Sequence, residues 1–295
     1  MQNYFGVASA SNVANPNLFI NGNFNIAQGA AGAIVAGTAL PTASLGYAPM
    51  QNNWFNYAVG GNPTIAQIAG SGSTLNRLQI TGVPGITAIG VGQRIEGINA
   101  AQLSGQPATL TVDLANSLGL PVTWTAFHPS VNPDTFGTIA TPTKTQIATG
   151  AFTATSTLTR FSASFACPEN VRRGIEIIFT VGASTGTWTI GDAKLEVGAT
   201  ATAFVAREDE MRLCQRYFER LPTTINGSFV NVLSTDGSTV WWYSAIKRIN
   251  PVLSLTGFYN QSGPSGTSFA SVFQIVGSNG FCTITSGSTA SAQIP

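Results

Sequence analysis

Charged side chains are scarce in this sequence. They make up 8% of its 295 residues, against roughly a quarter in an average soluble domain. Residues 1–76 contain no charged side chain, and none occurs after Arg248. The formal net charge is +1, and no run of Lys and Arg forms a basic patch. We therefore expect no nucleic-acid partner.

Long apolar runs and clustered metal ligands are missing as well. No run approaches the about 18 apolar residues of a membrane-spanning helix, so we expect no membrane insertion. The first residues lack the basic and apolar regions of a signal peptide. The cysteines are odd in number and far apart, which argues against a disulfide framework or a zinc site: Cys167, Cys214 and Cys282. We predict no cofactor and no metal.

Aromatic and β-forming residues are present in quantity. The chain has seventeen Phe, six Tyr and five Trp, whereas disordered chains are poor in aromatics and rich in charge. Apolar and polar residues alternate at 108–114 and at 122–127, which is the pattern of half-buried strands. Gly- and Ser-rich stretches separate such segments. The sequence therefore predicts an all-β protein.

One stretch departs from this pattern, because eleven charged residues fall between Asp192 and Arg220. The acidic residues at 208–210 suit the first turn of a helix, and Pro222 would end it. Four residues at spacings of three and four predict one apolar face: Met211, Cys214, Phe218 and Leu221. We predict a helix at 207–222 with Cys214 buried.

The same stretch resembles a signature found in bacteriophage structural proteins. The segment GDAKLEVGATATAF at 191–204 is followed by LCQRYF at 213–218, where those proteins have LE-G--ATPFE and then E--LCQRY. Three upstream pieces agree in order: NLFINGNF at 17–24, NW at 53–54 and GQRIE at 92–96. The resemblance covers residues 15–220. It departs from the pattern at 25–29, where NIAQG replaces D-WQRG, and at Ala203, where proline is usual.

The resemblance implies a jelly-roll domain of the carbohydrate-binding-module type, which is often found in tail fibres. Combined with the strand pattern, it predicts an all-β fold: a jelly-roll or β-sandwich, followed by one short helix and a second, smaller β-domain. The predicted parts are an extended arm at 1–16, the jelly roll at 17–206, the linking helix at 207–222 and the small β-domain at 223–295.

Two short motifs superficially suggest enzymes. The segment at 90–95 begins like a dinucleotide fingerprint but lacks its third glycine and a following helix. Residues 182–186 have the G-x-S-x-G spacing of a nucleophile elbow, which needs a helix after the turn. A strand is predicted there instead, so we expect a hairpin joining 172–181 to 185–197. A carboxylate pair such as Asp113 and Glu176 could serve a glycosidase only across a cleft. We predict no enzyme activity and no catalytic residue.

Two sets of residues are candidate ligand contacts. The first surrounds a two-proline loop: Trp124, His128 and Asp134. The second lies in an aromatic stretch: Trp241, Trp242 and Tyr243. Core packing is the alternative for most of these aromatics, and a lone histidine with one nearby carboxylate favours a structural role. The aromatic cluster at 54–57 has the same two interpretations, a core or a ligand-stacking platform.

These features favour a non-enzymatic virion structural protein, a short tail fibre or receptor-binding adhesin that contacts a host-surface glycan. The alternative is a capsid decoration (cement) protein that stabilises the head lattice, which the short arm and the absence of a fibre shaft favour. The predicted partners are further copies of the chain in a homotrimer, other virion proteins through the arm, and host polysaccharide. The predicted location is the surface of the phage particle, on tail or capsid.

Overall fold

The computed structural model describes residues 16–27, 32–33, 53–70, 75–138 and 141–217, together with three later strands. The chain forms two compact units, Met1–Glu210 and Met211–Pro295. The predicted arm lies almost wholly outside the described residues, and the bounds of the four predicted parts stay predictions. Within the described ranges, no helix is both long and apolar enough to cross a membrane.

The described part of the first unit is built mainly from strands. In chain order these are β1 (Gly32–Ala33), β2 (Trp54–Val59), β3 (Thr64–Ala69), β4 (Asn76–Thr81), β5 (Ala88–Glu96), β6 (Pro107–Asn116), β7 (Pro121–Pro129), β8 (Lys144–Thr153), β9 (Thr159–Ala166), β10 (Gly174–Val181) and β11 (Thr187–Val197). Short helical turns fill two connections: α1 (Gly97–Ala100) with the 3₁₀ turn Ala101–Leu103, and the 3₁₀ turn Glu169–Arg173.

The strands form two antiparallel sheets. One has the order β1-β3-β4-β11-β6-β9 and the other β2-β5-β10-β7-β8. The eight strands β4 to β11 pair in a nested series, in which the first strand pairs with the last, the second with the last but one, and so on. The pairs are β4 with β11, β5 with β10, β6 with β9 and β7 with β8. This nested pairing, with successive strands passing between two sheets, is the topology of a jelly roll. The predicted fold class is confirmed.

The core lies between the two sheets and follows the period of two along each strand. Three residues of β6 at that spacing are fully buried: Leu110, Val112 and Leu114. Trp54 is also fully buried, and its ring centroid lies 5.0 Å from those of Phe19 and Phe24. Large aromatic side chains therefore close the end of the core where residues 17–24 enter it.

The predicted hairpin across 182–186 is wrong. Strand, turn and strand occur there as expected, but β10 lies in the five-stranded sheet and β11 in the six-stranded sheet. The connection therefore crosses the sandwich instead of joining two hydrogen-bonded neighbours. Ser184 in this turn is 4% exposed, and a strand follows it, so the motif does not have the strand–turn–helix form of a nucleophile elbow.

The motif at 17–24 docks on a bulge in β11. The bulge interrupts the pairing of β11 with β6, and the backbone of Ala193 bonds elsewhere: its N–H donates to Gly22 O at 2.8 Å, and its carbonyl accepts from Asn17 Nδ2 at 2.9 Å. A Cβ on Gly22 would lie 2.1 Å from Ala193 O. Glycine is required here because the two backbones approach so closely.

The other pieces of the resemblance meet at the same place. The Gln93 amide exchanges two hydrogen bonds of 2.7 Å with the backbone of Ile20, and Trp54 Nε1 donates to Ile20 O at 3.1 Å. The Glu210 carboxylate accepts the backbone N–H of Asn21. Residues that are distant in sequence thus hold one buried polar junction, so these matching motifs have a structural role.

Around Lys194 and Glu196, the outer surface of the six-stranded sheet is covered by the chain itself. Residues 198–203, which we call the covering segment, follow β11 directly. Lys194 is 1% exposed and Glu196 is fully buried, with their charged atoms 3.1 Å apart. Lys194 Nζ donates to Thr202 Oγ1 and Ala203 O, and Glu196 accepts the backbone N–H and the hydroxyl of Thr202. The ion pair therefore fixes the covering segment.

The second helix, α2 (Glu210–Gln215), is shorter than predicted. It begins at the last of the three acidic residues, and residues 218–222 lie outside the described part of the chain. Cys214 is buried, as expected, but Met211 is 48% exposed and does not belong to a buried apolar face.

A second buried cysteine, Cys167, follows β9 directly. Burial raises the pKa of Cys167 to about 12, so this thiol is not a reactive group.

Three strands of the second unit are described: β12 (Gly237–Trp242), β13 (Ser271–Val276) and β14 (Gly280–Thr285). They form an antiparallel sheet in the order β12-β14-β13. A register shift separates Phe273 from Ile275 in β13. This small sheet agrees with the predicted second β-domain.

Candidate functional site

The outer surface of the five-stranded sheet, here called the open face, carries its side chains in three rows set by the strand register. The first row is Tyr57, Gly90, Thr180, Thr123 and Ala151. The second is Phe55, Gly92, Ile178, Thr125 and Thr149. The third is Arg94, Glu176, Phe127 and Gln146. Aromatic rings, hydroxyl groups and charges therefore occupy separate parts of one surface.

Two glycines of β5 make room for the rings of β2. A Cβ on Gly90 would lie 2.0 Å from a Tyr57 ring carbon, and one on Gly92 would lie 2.7 Å from the ring tip of Phe55. Both rings therefore lie directly against the backbone of the neighbouring strand. Phe55 is 3% exposed and packs with Ile178, whereas Tyr57 is only partly buried.

The Tyr57 hydroxyl is held as well as its ring. Its oxygen lies 3.3 Å from Thr180 Oγ1. Burial raises the pKa of Tyr57, while the hydrogen bond with Thr180 lowers it and the Glu176 carboxylate raises it further. The group is therefore a neutral phenol that can donate or accept a hydrogen bond. The first row offers a fixed aromatic ring with hydroxyl groups beside it.

A compact charge cluster underlies the third row. Glu176 is fully buried and accepts from Arg94 Nε at 2.5 Å and from Lys144 Nζ. The Arg94 guanidinium carbon lies 5.3 Å from the ring centroid of Phe55, and Lys144 Nζ lies 4.3 Å from that of Phe127. Cation–π contacts of this kind are favourable when the cation is shielded from water. The cluster is therefore rigidly held.

The two-proline loop is fastened to the end of the open face. Arg94 Nη2 donates to Gly137 O at 3.0 Å, and the guanidinium carbon of Arg94 lies 5.2 Å from the ring centroid of Phe136. The Asp134 carboxylate accepts the backbone N–H of Gly97 at 2.8 Å. The described part of the loop thus forms a wall at one end of the open face.

The predicted ligand contact Trp124 does not fit its position. Trp124 is 5% exposed and points into the core, with its ring centroid 5.5 Å from that of Phe165 and 6.4 Å from that of Phe152. A Cβ on Gly150 would lie 2.8 Å from its indole nitrogen. The period of two in β7 directs this ring inward, so neither ring face is open to a ligand.

The remaining candidates are dispersed. His128 is 7% exposed, and its Nδ1 lies 2.8 Å from Pro129 O. Asp134 has a positive φ of 57° and braces the loop. Trp241 and Trp242 lie in β12, where only the backbone is described, and Tyr243 lies outside the described residues. For those three aromatics a ligand role stays a prediction.

Sequence reasoning named the cluster at 54–57 without separating its members. The structure buries Trp54 in the core and Phe55 beneath the Arg94 guanidinium on the outer surface, and it leaves Tyr57 partly open. Alternation along β2 could have separated Trp54 from its two neighbours on the outer surface. The pairing of Tyr57 with Gly90 could not be read from the sequence, because the two residues are distant and belong to non-consecutive strands.

The carboxylates, histidines and cysteines of the described residues do not come together in one site. No group of three or more His, Cys, Asp or Glu side chains is placed there to hold a metal ion. Asp113 is bound to Arg160 Nε at 2.5 Å on β6 of the six-stranded sheet, whereas Glu176 lies on the open face. The two carboxylates are thus on opposite outer surfaces and do not flank one cleft.

Comparisons with known proteins give structural likeness only. No family model matches the chain, and no curated protein matches it. A solved chain described as "CBM4 structure and function" is 17% identical, with 60% of this chain and 98% of that one covered and a TM-score of 0.38. For a xylan-binding domain from CBM 22 the identity is 11%, the shares are 56% and 99%, and the TM-score is 0.34.

A phage protein is also among the similar structures. It is the enzymatically active domain of tailspike protein 4 from bacteriophage CBA120, with 14% identity, 50% of this chain and 19% of that chain covered, and a TM-score of 0.36. At such low TM-scores these likenesses carry no argument about function. The assignment of the fold rests on the strand pairing described above.

Proposed function

We propose that this chain is a non-enzymatic structural protein of a bacteriophage particle, a short tail fibre or receptor-binding adhesin, and that it contacts a host-surface glycan through the open face. One observation carries the glycan-binding part: the Tyr57 ring lies against Gly90, is only partly buried, and stands in a row with Thr180 and Thr123. The assignment to a phage is supported by the sequence resemblance around 191–218.

The chemistry of the open face suits a sugar. A pyranose ring has an apolar face of C–H groups and an edge of hydroxyl groups, so it is matched by an aromatic ring with hydrogen-bonding groups alongside. Tyr57 supplies the ring, and the threonines of the first two rows supply hydroxyl groups that can donate and accept. Because β2, β10, β7 and β8 hold these groups in register, little side-chain entropy is lost on binding.

We infer that the open face binds a glycan without cleaving it. Glu176, the carboxylate on the open face, is fully buried and bound to two cations. A glycosidase needs two carboxyl groups on either side of the scissile bond, and Asp113 lies on the other sheet. A weak site would gain strength through several copies of the chain, because linked sites bind with a high effective concentration. A homotrimer would provide this.

The glycan-binding part is tested by screening the full chain and two Tyr57 variants on a glycan array. Tyr57→Ala removes the ring, and we expect it to reduce binding to any responding glycan by about tenfold or more. Tyr57→Phe keeps the ring and serves as the matched control, with a smaller loss. Equal binding by wild type and Tyr57→Ala would show that the open face is not the site.

The virion part is tested by locating the chain in intact particles by cryo-electron microscopy. Density at the tail tip or baseplate would support the adhesin. Density spread over the head would instead identify the alternative, a capsid decoration protein. Absence from purified particles would reject both.

A further inference from the structure

We propose that the glycan bound on the open face is acidic, and that its carboxylate is received by Lys144 and Arg94. This inference rests on the proposed function, because it names the chemical class of the ligand at the same site. It is carried by the charges of the third row, by the hydrogen-bond donors those charges leave unused, and by their fixed positions.

The charge cluster of the third row has a net positive charge. The first two rows of the open face contain no charged side chain, and the third-row cluster contains two cations and one carboxylate, Glu176. Two other carboxylates adjoin this cluster: Glu96, which is 7% exposed and lies two residues beyond Arg94 on the same side of β5, and Asp134 in the loop. The neighbouring 3₁₀ turn Glu169–Arg173 contains two arginines and one glutamate. By itself, the third-row cluster has one positive charge in excess.

The donor count points the same way. A lysine ammonium group has three N–H donors, and among the described residues the hydrogen-bond acceptor of Lys144 is Glu176. The side chain of Lys144 is only 7% exposed, so water has limited access to the other two. Arg94 donates through Nε and Nη2, which leaves Nη1. A carboxylate bound here would form charge-assisted hydrogen bonds with donors that are already in place.

The geometry also indicates the size of the ligand. Tyr57 pairs with Gly90, and Arg94 lies four residues further along β5. At about 3.3 Å per residue, the Cα atoms of Gly90 and Arg94 are about 13 Å apart along the strand. A ligand that spans this distance is longer than a single sugar ring. The ligand that uses the whole face is therefore an acidic oligosaccharide or polysaccharide segment.

The test uses two forms of one polymer and a pair of isosteric variants. The probes are polygalacturonate and its fully methyl-esterified form, which differ only in charge on the sugar. Gln146 is an exposed member of the third row, paired with Phe127, and Gln146→Glu adds a carboxylate beside Lys144. Gln106→Glu makes the same change in net charge at an exposed residue on β6's preceding turn, away from the open face. Affinities are measured by biolayer interferometry.

We expect wild type to bind polygalacturonate about tenfold more tightly than its ester, as one additional charge-assisted contact provides. Gln146→Glu should remove this preference and Gln146→Lys should increase it, while Gln106→Glu leaves it unchanged. Equal affinity for the two polymers, or equal effects of Gln146→Glu and Gln106→Glu, would overturn the acidic-ligand proposal. If neither polymer bound but neutral glycans bound through Tyr57, this proposal would fail and the proposed function would stand.

Discussion

Each outer surface of the sandwich holds buried charged groups, but the surroundings of these groups differ. On the six-stranded sheet, Lys194 and Glu196 are 1% and 0% exposed and are sealed by the covering segment. On the five-stranded sheet, Glu176 is equally buried, but its partners Arg94 and Lys144 share the outer surface with the partly buried ring of Tyr57. One ion pair holds the chain's own backbone. The other leaves N–H donors of Lys144 and Arg94 without an acceptor among the described residues.

The difference shows how one β-sandwich separates structure from recognition. In the covering segment, Thr202 supplies acceptors and donors that complete the Lys194–Glu196 pair, so no group is left for a ligand. On the open face, Gly90 and Gly92 have no side chain, so the rings of Tyr57 and Phe55 can lie directly against the backbone of β5. The variants below alter one surface or the other, beginning with the largest expected effect.

Breaking the ion pair of the covered surface should have the largest effect on stability. Glu196→Ala leaves Lys194 buried without its carboxylate, and removing one partner of a buried pair costs about 3–5 kcal/mol. The free energy of unfolding is measured by denaturant titration. The double variant Lys194→Met/Glu196→Leu is the control, because it removes both charges and should be far less costly. A loss below about 1 kcal/mol for the single variant, as for a surface pair, would contradict this account.

Filling the floor of the open face should affect binding more than folding. Gly90→Ala places a Cβ 2.0 Å from Tyr57, so the ring must move, at a cost of about 1–3 kcal/mol in stability. We expect glycan affinity to fall by about tenfold, as for loss of a central contact. Gly182→Ala is the matched control, since its Cβ would meet nothing within 4 Å. Unchanged affinity in Gly90→Ala would rule out the Tyr57 platform.

The Glu210 carboxyl lies at the junction where residues 17–24 meet the sandwich, and its protonation makes the stability of the protein depend on pH. Burial raises the pKa of this carboxyl above the ordinary value, and the hydrogen bond from Asn21 opposes this. The folded protein therefore holds this proton more tightly than the unfolded chain. The resulting stability is complete below the unfolded pKa of about 4.3 and is lost as the pH rises through the folded value.

Glu210→Gln should remove that dependence. The stability of the variant relative to wild type should increase between about pH 4 and pH 7, because only wild type must ionise a buried carboxyl over that range. Thermal unfolding followed by near-ultraviolet circular dichroism measures the difference. A constant difference across the range would mean that the carboxyl is not held in its neutral form.

The smallest expected effect is a shift in the titration of one tyrosine. Because burial raises the pKa of Tyr57, its phenol should stay neutral above the ordinary value of about 10. The difference in ultraviolet absorption between wild type and Tyr57→Phe isolates this group from the other tyrosines. A bound glycan that covers the ring should raise the pKa further. A normal titration would show that the ring is more open than its packing on Gly90 implies.

Much of this architecture can be predicted from local patterns. Alternation located β6 and β7, and low charge with many aromatics predicted an all-β chain. The helix start was placed within a few residues because carboxylates favour a helix N-terminus. The helix begins at Glu210 and not at 207, and Met211 does not belong to the predicted buried face because it is exposed.

The candidate site was less predictable. Trp124 was expected to contact a ligand, but the inward phase of β7 buries it against Phe152 and Phe165. Tyr57 belonged to a predicted cluster, yet its importance depends on Gly90, which is 33 positions away in the sequence. Aromatic residues have the same appearance in sequence whether they fill a core or form a platform.

By itself the sequence determined which segments become strands, because side-chain period and turn residues act over a few neighbouring positions. The motifs at 17–24, 92–96 and 191–204 are also visible in the sequence, but their structural role at one buried junction is not. Only the tertiary structure decided that β10 and β11 belong to different sheets and that Lys194 and Glu196 bind the covering segment. It also set Tyr57 against Gly90. Strand pairing in a jelly roll joins the first strand to the last, so these contacts depend on long-range packing that no local pattern encodes.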